Sequence, residues 1–163
     1  MFFAMTIRKA EEKDIKAITA IWNEIVREGN AFPQDKELSE EDAYSFFSSQ
    51  SFTAVADDEG TIVGLYILHP NNVGKCGHIA NASYAVTAGM RNRHIGRALV
   101  EHSLIKAGEL GFRILQYNAV VRTNTSARKL YESLGFVSLG IIPGGFRMDD
   151  GHYEDIVPYI HLL

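Results

Sequence analysis

Apolar residues recur along the chain with two different periods, and these periods predict its helices and strands. In some segments they return every three or four residues, as on one face of a helix. We expect helices over residues 11–27, 39–49, 95–110 and 125–134. Shorter stretches are rich in β-branched and aromatic residues, as strands are. We expect strands over residues 6–10, 52–56, 62–68, 78–86, 114–121, 136–142 and 153–162.

The order of these elements is strand, two helices, three strands, helix, strand, helix and two strands. It predicts an α/β fold with a central mixed sheet and helices on both faces. The last two strands are expected to be joined through Pro143-Gly144-Gly145, since proline and glycine favour turns. A chain of 163 residues has the usual size of one domain, so we expect a single domain over residues 1–163.

Charge and cysteine content exclude several classes of protein. The formal net charge is -4, whereas nucleic-acid binding normally needs an excess or cluster of Lys and Arg. Cys76 has no second cysteine to pair with, which fits a reducing compartment and favours the cytoplasm. Residues 1–5 are too short for a signal segment, and no apolar run approaches the roughly 18 residues of a membrane span. The histidines are not spaced as metal ligands, so we expect no metal.

Residues 86–99 lie between a predicted strand and a predicted helix and are suited to bind an anion. The first amides of a helix have no partner within it and carry partial positive charge. Gly96 lets the backbone approach a ligand closely, and Arg91, Arg93 and Arg97 add full charges. These features predict a diphosphate site, and a solvated basic turn that caps the helix is an equally good interpretation.

A second stretch, residues 118–136, points to a specific family. It carries the pattern Asn-x-x-Ala-x-x-x-Tyr-x-x-x-Gly-Phe at Asn124, Ala127, Tyr131, Gly135 and Phe136. Together with residues 91–98, it makes the chain resemble the GCN5-related N-acetyltransferase (GNAT) superfamily, whose cofactor loop reads Arg/Gln-x-x-Gly-x-Gly/Ala. One alignment places Arg91 first and His94 where glycine is usual. A shifted alignment, which begins at Arg93 and places Gly96 at the first glycine, also fits.

The resemblance implies the cosubstrate and the residues that hold it. In the superfamily acetyl-CoA donates the acetyl group, its pantetheine arm lies between two splayed strands, and its pyrophosphate sits on the loop before the helix. Here the strands would be those that end at Val86 and begin near Ile114, and main-chain amides near Ala85 would polarise the thioester. The implied cofactor-binding residues are Ala85, Val86, Arg91, Asn92, Arg93, His94, Ile95, Gly96, Arg97, Asn124 and Tyr131.

Tyr131 matches the superfamily tyrosine that gives a proton to the leaving CoA thiolate, so the resemblance implies that it is the catalytic acid. A core aromatic on the helix face is the structural alternative. Asn124 would bind the cofactor arm, cap the helix, or do both. The acetyl group would pass directly to the amine, and Cys76 would not act as a nucleophile.

Asn81 and Asn118 are the candidates for binding the acceptor, because an amide inside an apolar strand is costly unless it is paired. The patterns around them, His-x-x-Asn-Ala and Tyr-Asn-x-Val-Val, resemble a subgroup that includes the yeast N-acetyltransferase of azetidine-2-carboxylate, a proline analogue. That resemblance implies that the two amides hold the carboxylate and the amine of the acceptor. Pairing with backbone groups at a strand bulge is an equally good interpretation. Phe32 would wall the acceptor pocket or pack in the core.

We therefore expect an N-acetyltransferase that moves acetyl from acetyl-CoA to a small amine, such as an amino acid or an analogue of one. A protein or peptide N-acetyltransferase and a non-catalytic acyl-CoA-binding regulatory module are the alternatives. The sequence singles out no base for the amine, and a water chain is equally possible. The candidate bases are Glu24, Glu28, His78, His152 and Glu154. A homodimer through the terminal strand, residues 156–162, is a further hypothesis.

Overall fold

The computed structural model describes residues 5–163, and the segment that is too short for a signal lies mostly outside them. The described part of the chain folds into four α helices and eight strands. In chain order these are β1 (Met5–Lys9), α1 (Ile15–Glu28), α2 (Glu40–Ser48), β2 (Phe52–Asp58), β3 (Thr61–Pro70), β4 (Ile79–Val86), α3 (Ile95–Glu109), β5 (Ile114–Val121), α4 (Thr125–Ser133), β6 (Val137–Ser138), β7 (Ile142–Arg147) and β8 (Tyr153–Leu162).

The strands form one mixed sheet in the order β1-β2-β3-β4-β5-β8-β6, and β7 also pairs with β8. The pairing is antiparallel except between β4 and β5, which run parallel. One face is covered by α1 and α2, whose buried Trp22 and Phe47 pack on Leu65. The other face is covered by α3, through Leu99 and Val100. The predicted mixed sheet with helices on both faces is thus confirmed.

The parallel pair β4–β5 opens after a short region of contact. Backbone pairing joins Ile79–Asn81 to Ile114–Gln116 and stops there. β4 continues to Val86 beside β3, while β5 bulges away between Tyr117 and Val120 where it pairs with β8. The edge of β4 that faces β5 is therefore unpaired over residues 82–86, which leaves backbone groups that require other partners.

The closing strands differ from the prediction. The strand expected over 136–142 is reduced to the two residues of β6, and Pro143-Gly144-Gly145, expected as the connection, lies inside β7. The reason is a close approach: a Cβ on Gly145 would lie 2.4 Å from Cγ1 of Ile156 on β8. Glycine therefore lets β7 lie against β8, and the chain turns later, where Gly151 has a φ of +91°.

The terminal strand is also not the sheet edge that a dimer contact would need. β8 pairs with β5 on one side and with β6 and β7 on the other, so its backbone groups are engaged within the chain. Exposed apolar side chains lie beside it instead, at Val137, Leu139, Ile141 and Ile142. The contact through residues 156–162 is therefore wrong as an edge pairing, and the homodimer itself stays a prediction.

Replacement of Gly145 by alanine tests the approach of β7 to β8. The added Cβ has no room beside Ile156, so we expect Gly145→Ala to lower the free energy of unfolding by about 1–3 kcal/mol. Gly108→Ala is the control: it lies in α3, its Cβ would meet nothing within 4 Å, and alanine there raises stability by up to about 1 kcal/mol. Urea denaturation measures both. Equal effects of the two substitutions would contradict the close approach.

Candidate active site

Two clefts adjoin at the place where β4 leaves β5. The first has a volume of about 820 Å3 and lies against the loop that precedes α3. The second has a volume of about 570 Å3 and is walled in part by residues 31–34. Their linings share Ala31, Tyr84, Asn124 and Ala127. A molecule in one cleft can therefore contact a molecule in the other across the gap between the strands.

The first cleft brings together most of the predicted cofactor residues. Its lining includes Val86, Arg91, Asn92, His94, Ile95, Gly96, Arg97 and Asn124. Ala85 is buried against α1 and α2, so only its backbone could serve the cofactor. The Nη1 of Arg93 lies 3.3 Å from Sδ of Met90, and Tyr131 lines the second cleft. The first cleft thus contains the loop and helix start that an anion would use.

The backbone of this loop explains why glycine is usual where this chain has His94. His94 precedes α3 with a φ of +62°, and Asn92 has a φ of +70°. This left-handed region is unfavourable for residues with a Cβ, and asparagine and histidine are among those that adopt it most often. The His94 side chain makes no capping hydrogen bond. The first amides of α3 therefore remain open to an anion.

Arg91 holds the loop to α1 and to the end of β4. Its guanidinium donates two hydrogen bonds to the Glu28 carboxylate, at 2.6 and 3.1 Å, and its Nε donates to the Val86 carbonyl at 3.2 Å. Glu24 lies 3.7 Å from the same guanidinium and accepts a hydrogen bond from the amide of Ala88 at 2.9 Å. Two carboxylates thus offset the charge of Arg91, and its contacts tie the loop to α1 and β4.

Tyr131 lies in an aromatic cluster beside the second cleft, and its role as the catalytic acid stays a prediction. Its ring centroid lies 4.5 Å from that of Tyr117 and 5.7 Å from that of Phe136, as in a core cluster. It also lines the second cleft. The pKa of Tyr131 is raised to about 12, chiefly because the side chain is buried and to a lesser extent because of the neighbouring Tyr159. Its hydroxyl therefore carries a proton at neutral pH and is able to donate it.

Asn124 caps α4 and faces both clefts. Its Oδ1 accepts a hydrogen bond from the amide of Ala127 at 3.3 Å, which satisfies one of the open amides at the start of the helix. Its side chain also contributes to the lining of both clefts. Capping is thus seen directly, and contact with a cofactor arm is compatible with it.

Sequence reasoning missed a chain of hydroxyls at the gap. Ser103 donates to the carbonyl of Val100 at 2.7 Å, and since that proton is used, Tyr84 donates to Ser103 at 2.7 Å. Tyr117 in turn donates to Tyr84 at 2.6 Å. Burial raises the pKa of both tyrosines well above the ordinary value. Both are visible in the sequence only as strand residues, because Tyr84 bonds to Ser103 on α3 and Tyr117 bonds to Tyr84 on another strand.

The two predicted acceptor-binding asparagines are both engaged within the protein. Nδ2 of Asn81 donates to the backbone carbonyl of Gln116 at 2.9 Å, at the branch point of the strands. Asn118 donates to Oδ1 of Asn71 at 2.6 Å and accepts from Gln116 at 3.1 Å. Both also line the second cleft. Their structural role is therefore visible, and a role toward the acceptor stays a prediction.

Phe32 is a core residue, and its role toward an acceptor stays a prediction. It is buried, and its ring centroid lies 4.3 Å from that of Trp22, which anchors it to α1. It also forms part of the wall of the second cleft. The loop that carries it is tied down further, because the side-chain amide of Asn23 exchanges two hydrogen bonds with the backbone of Leu38, at 2.7 and 2.9 Å.

The candidate bases lie outside the second cleft. Glu28 lines the first cleft, where it is bound to Arg91. His152 contacts Glu154, with Nε2 2.9 Å from Oε1, and also Asp150, and these carboxylates raise the pKa of His152. Among residues 5–163, the second cleft has no Asp, Glu, Lys or Arg in its lining. The described lining therefore contains no carboxylate, ammonium or guanidinium group.

Two further observations concern the described residues alone. Between positions 5 and 163, no three His, Cys, Asp or Glu side chains are grouped as a metal site requires. No helix in that same part of the chain is long and apolar enough to cross a membrane. Cys76 is exposed, unpaired and outside the linings of both clefts.

Comparison with known proteins agrees with this arrangement. A profile of the Acetyltransferase (GNAT) family matches residues 16–136. The N-acetyltransferase aca1 of Schizosaccharomyces pombe is 29% identical to this chain over an alignment of 170 positions. The alignment covers 94% of this chain and 81% of that protein. The chain therefore belongs to the GNAT family, and it is an acetyl-CoA-dependent N-acetyltransferase. The azetidine-2-carboxylate subgroup stays a prediction.

Solved structures show the same fold. A GCN5-related N-acetyltransferase from Kribbella flavida superposes with a TM-score of 0.91 at 39% identity, over 98% of each chain. A GNAT superfamily phosphinothricin acetyltransferase (Pat) from Sinorhizobium meliloti, in complex with acetyl-CoA, superposes with a TM-score of 0.90 at 24% identity, over 98% of this chain and 88% of that one. The mixed sheet with its splayed central strands is thus a known enzyme scaffold.

Paired substitutions test the role of Arg91. If it fixes the loop, Arg91→Gln and Glu28→Gln break the same contact. Each should then weaken acetyl-CoA binding by up to about fivefold, the effect of an exposed ion pair worth about 1 kcal/mol or less. The double variant should bind acetyl-CoA no more weakly than the single variant that has the lower affinity. Calorimetric titration with acetyl-CoA measures this. Tighter binding by Glu28→Gln would show instead that Arg91 is a phosphate ligand restrained by Glu28.

Proposed function

We propose that this enzyme transfers acetyl from acetyl-CoA directly to the amine of a small molecule, an amino acid or an analogue of one. The observation that supports this best is the meeting of the two clefts at the β4–β5 gap, with Tyr131 beside it. One cleft has an anion-binding helix start, and the other is small and without formal charge. Two substrates held there would meet at the gap.

The first cleft fits acetyl-CoA in two respects. The open amides at the start of α3 suit a pyrophosphate, because the helix dipole and the unpaired N–H groups both favour negative charge. The unpaired edge of β4, residues 82–86, offers backbone groups to the amides of a pantetheine arm, as an added strand would. Acetyl-CoA supplies the thioester, and the chain supplies the orientation.

The chemistry that the gap supports is direct transfer. The amine nitrogen attacks the thioester carbon, and backbone amides of β4 near Val86 stabilise the negative charge on the carbonyl oxygen. The carbon–sulfur bond then breaks, and Tyr131 donates its proton to the sulfur. Cys76 is exposed and lines neither cleft, so direct attack by the amine suits this site better than an acyl-cysteine.

The second cleft favours a small, uncharged or zwitterionic acceptor. Its described lining is amide, imidazole, hydroxyl and apolar groups, with no Asp or Glu to pair with a second ammonium and no Lys or Arg to pair with a second anion. Phe32 is anchored on Trp22 and restricts the pocket. These features support an amino acid more than a polyamine, a peptide chain or phosphinothricin, which carries an additional anionic group.

We also propose the setting in which the enzyme works. One sheet joins strands from both ends of residues 5–163, which supports a single domain. The net charge of -4 and the unpaired Cys76 support a cytoplasmic enzyme without a nucleic-acid partner.

Removal of the Tyr131 hydroxyl tests the proton donor. We expect Tyr131→Phe to lower kcat by about 100-fold or more, because general acid catalysis contributes that much, while acetyl-CoA binding is unchanged. Tyr153→Phe, which removes an exposed hydroxyl outside both clefts, is the matched control.

The raised pKa of Tyr131, about 12, also predicts the pH dependence of kcat. The hydroxyl keeps its proton below that pH, so loss of the Tyr131 proton should not lower kcat until the pH approaches that value. An unchanged kcat in Tyr131→Phe would assign the proton to another group.

A thiol-release assay with a panel of acceptors tests the substrate class. We expect higher kcat/KM for neutral amino acids and proline analogues than for polyamines, phosphinothricin or short peptides, because the second cleft offers no charged partner. Calorimetric titration of acetyl-CoA is run beside it. Preference for peptides would show a protein acetyltransferase, and binding of acetyl-CoA without release from any acceptor would show a regulatory module.

A further inference from the structure

His69 stands at one end of the second cleft, directly across the sheet from Asn81. It is the next to last residue of β3, and the antiparallel register pairs His69 with Asn81 on β4. Side chains of residues that face each other in this way lie on the same side of the sheet, with Cβ atoms about 4.5–5.5 Å apart. Both line the second cleft and both are partly buried. The imidazole and the amide therefore line the second cleft side by side.

The local backbone fixes the tautomer of His69. Its Nδ1 lies 3.0 Å from the carbonyl oxygen of Pro70. A carbonyl oxygen only accepts, so Nδ1 carries the hydrogen and donates it. In the neutral ring the other nitrogen, Nε2, then has the free lone pair. Nε2 is thus the ring nitrogen that is left to contact an acceptor.

The orientation of Asn81 is fixed by the same argument. Its Nδ2 donates to the backbone carbonyl of Gln116 at 2.9 Å, and because that carbonyl only accepts, the amide cannot be flipped. Its Oδ1 is therefore the free end of the amide and is a hydrogen-bond acceptor. The cross-strand pair presents two acceptors, Oδ1 and Nε2, and an amine or ammonium group is the complement of such a pair.

His69 is also the one group in this cleft suited to act as a base. Within the described lining there is no carboxylate or lysine, and the other titratable groups are Tyr84 on β4, Tyr117 on β5 and Tyr131 on α4. Burial raises the pKa of all three tyrosines, so they are proton donors at neutral pH. The lining from α2 is Phe46, and neither the 31–34 loop nor Gln50, which follows α2, carries a charge.

We propose that His69 is the general base that removes a proton from the acceptor amine, while Oδ1 of Asn81 accepts a second N–H and holds the nitrogen in place. The proposal rests on the proposed function. His69 acts by direct contact or through a water in the cleft.

The proton balance is complete with these groups. An acceptor that arrives as an ammonium loses two protons in one turnover. The first passes to Nε2 of His69, and from the imidazolium on to solvent. The freed lone pair forms the carbon–nitrogen bond and the carbon–sulfur bond breaks. The second proton leaves the nitrogen at that stage and replaces the one that Tyr131 gave to the sulfur.

The test compares His69→Gln with His78→Gln over a range of pH, using thiol release from acetyl-CoA with the best amino acid acceptor. Glutamine keeps a polar side chain of similar size but cannot accept a proton. We expect His69→Gln to lower kcat by about 100-fold or more and to leave calorimetric acetyl-CoA binding unchanged. If His69 is the base, the wild-type rate should rise with pH as a proton is lost from an imidazole, and the variant should lack that rise. His78 is exposed and outside both clefts, so its variant should keep the wild-type profile. Added imidazole should restore part of the rate of a His69→Ala variant.

The outcomes separate the two proposals. If His69→Gln keeps the wild-type kcat and pH profile, or raises only the KM of the acceptor, His69 is not the base and the proposed function stands. If the wild type releases no thiol with any amine, the proposed function is overturned and His69 has no amine to deprotonate. If His69→Gln loses acetyl-CoA binding and is also less stable, His69 has a structural role. If added imidazole restores the rate of thiol release in His69→Ala, a purely structural role is excluded.

Discussion

The parting of β4 and β5 after Asn81 is the constraint on which the site depends. Parallel strands that remain paired leave no space between them, whereas here the ladder ends after three residue pairs. The side chain of Asn81 donates to the carbonyl of Gln116 at this point, so a backbone group that the ladder abandons stays satisfied. The bulge after Tyr117 turns β5 away while it continues to pair with β8. Both clefts exist because of this branch.

Aromatic hydroxyls stabilise the open side of the branch. Where backbone hydrogen bonds are lost, Tyr117, Tyr84 and Ser103 form a directed chain that ends on a carbonyl of α3. The rings of Tyr84 and Tyr117 meet edge to face with centroids 5.6 Å apart, an arrangement that aromatic pairs favour. The gap is thus held open by packed and hydrogen-bonded side chains, and Tyr131 is placed against the same cluster.

The elements around the cofactor could be predicted because their signals are local. The start of α3 and the positions of Asn124 and Tyr131 follow from residues close together in the sequence. The start of α3 and Asn124 line the first cleft, and Tyr131 lines the second. Gly145 and His69 could not be predicted in the same way. The glycine matters because Ile156 approaches it from another strand, and the histidine matters because the register sets it opposite Asn81. Both depend on pairings between distant segments.

The absence of formal charge from the described lining of the second cleft has an evolutionary consequence. A pocket that already contains a fixed anion or cation must lose that group and gain one of opposite sign before it attracts a molecule with the same charge as the original group, which takes two changes. Here Gln34 and Gln50 line a pocket whose described lining has no Asp, Glu, Lys or Arg, so a single exchange to Glu or Lys at either place would introduce attraction for one class of amine and repulsion for another. Such a neutral pocket is a short mutational distance from several specificities, while the branch that does the chemistry is left untouched.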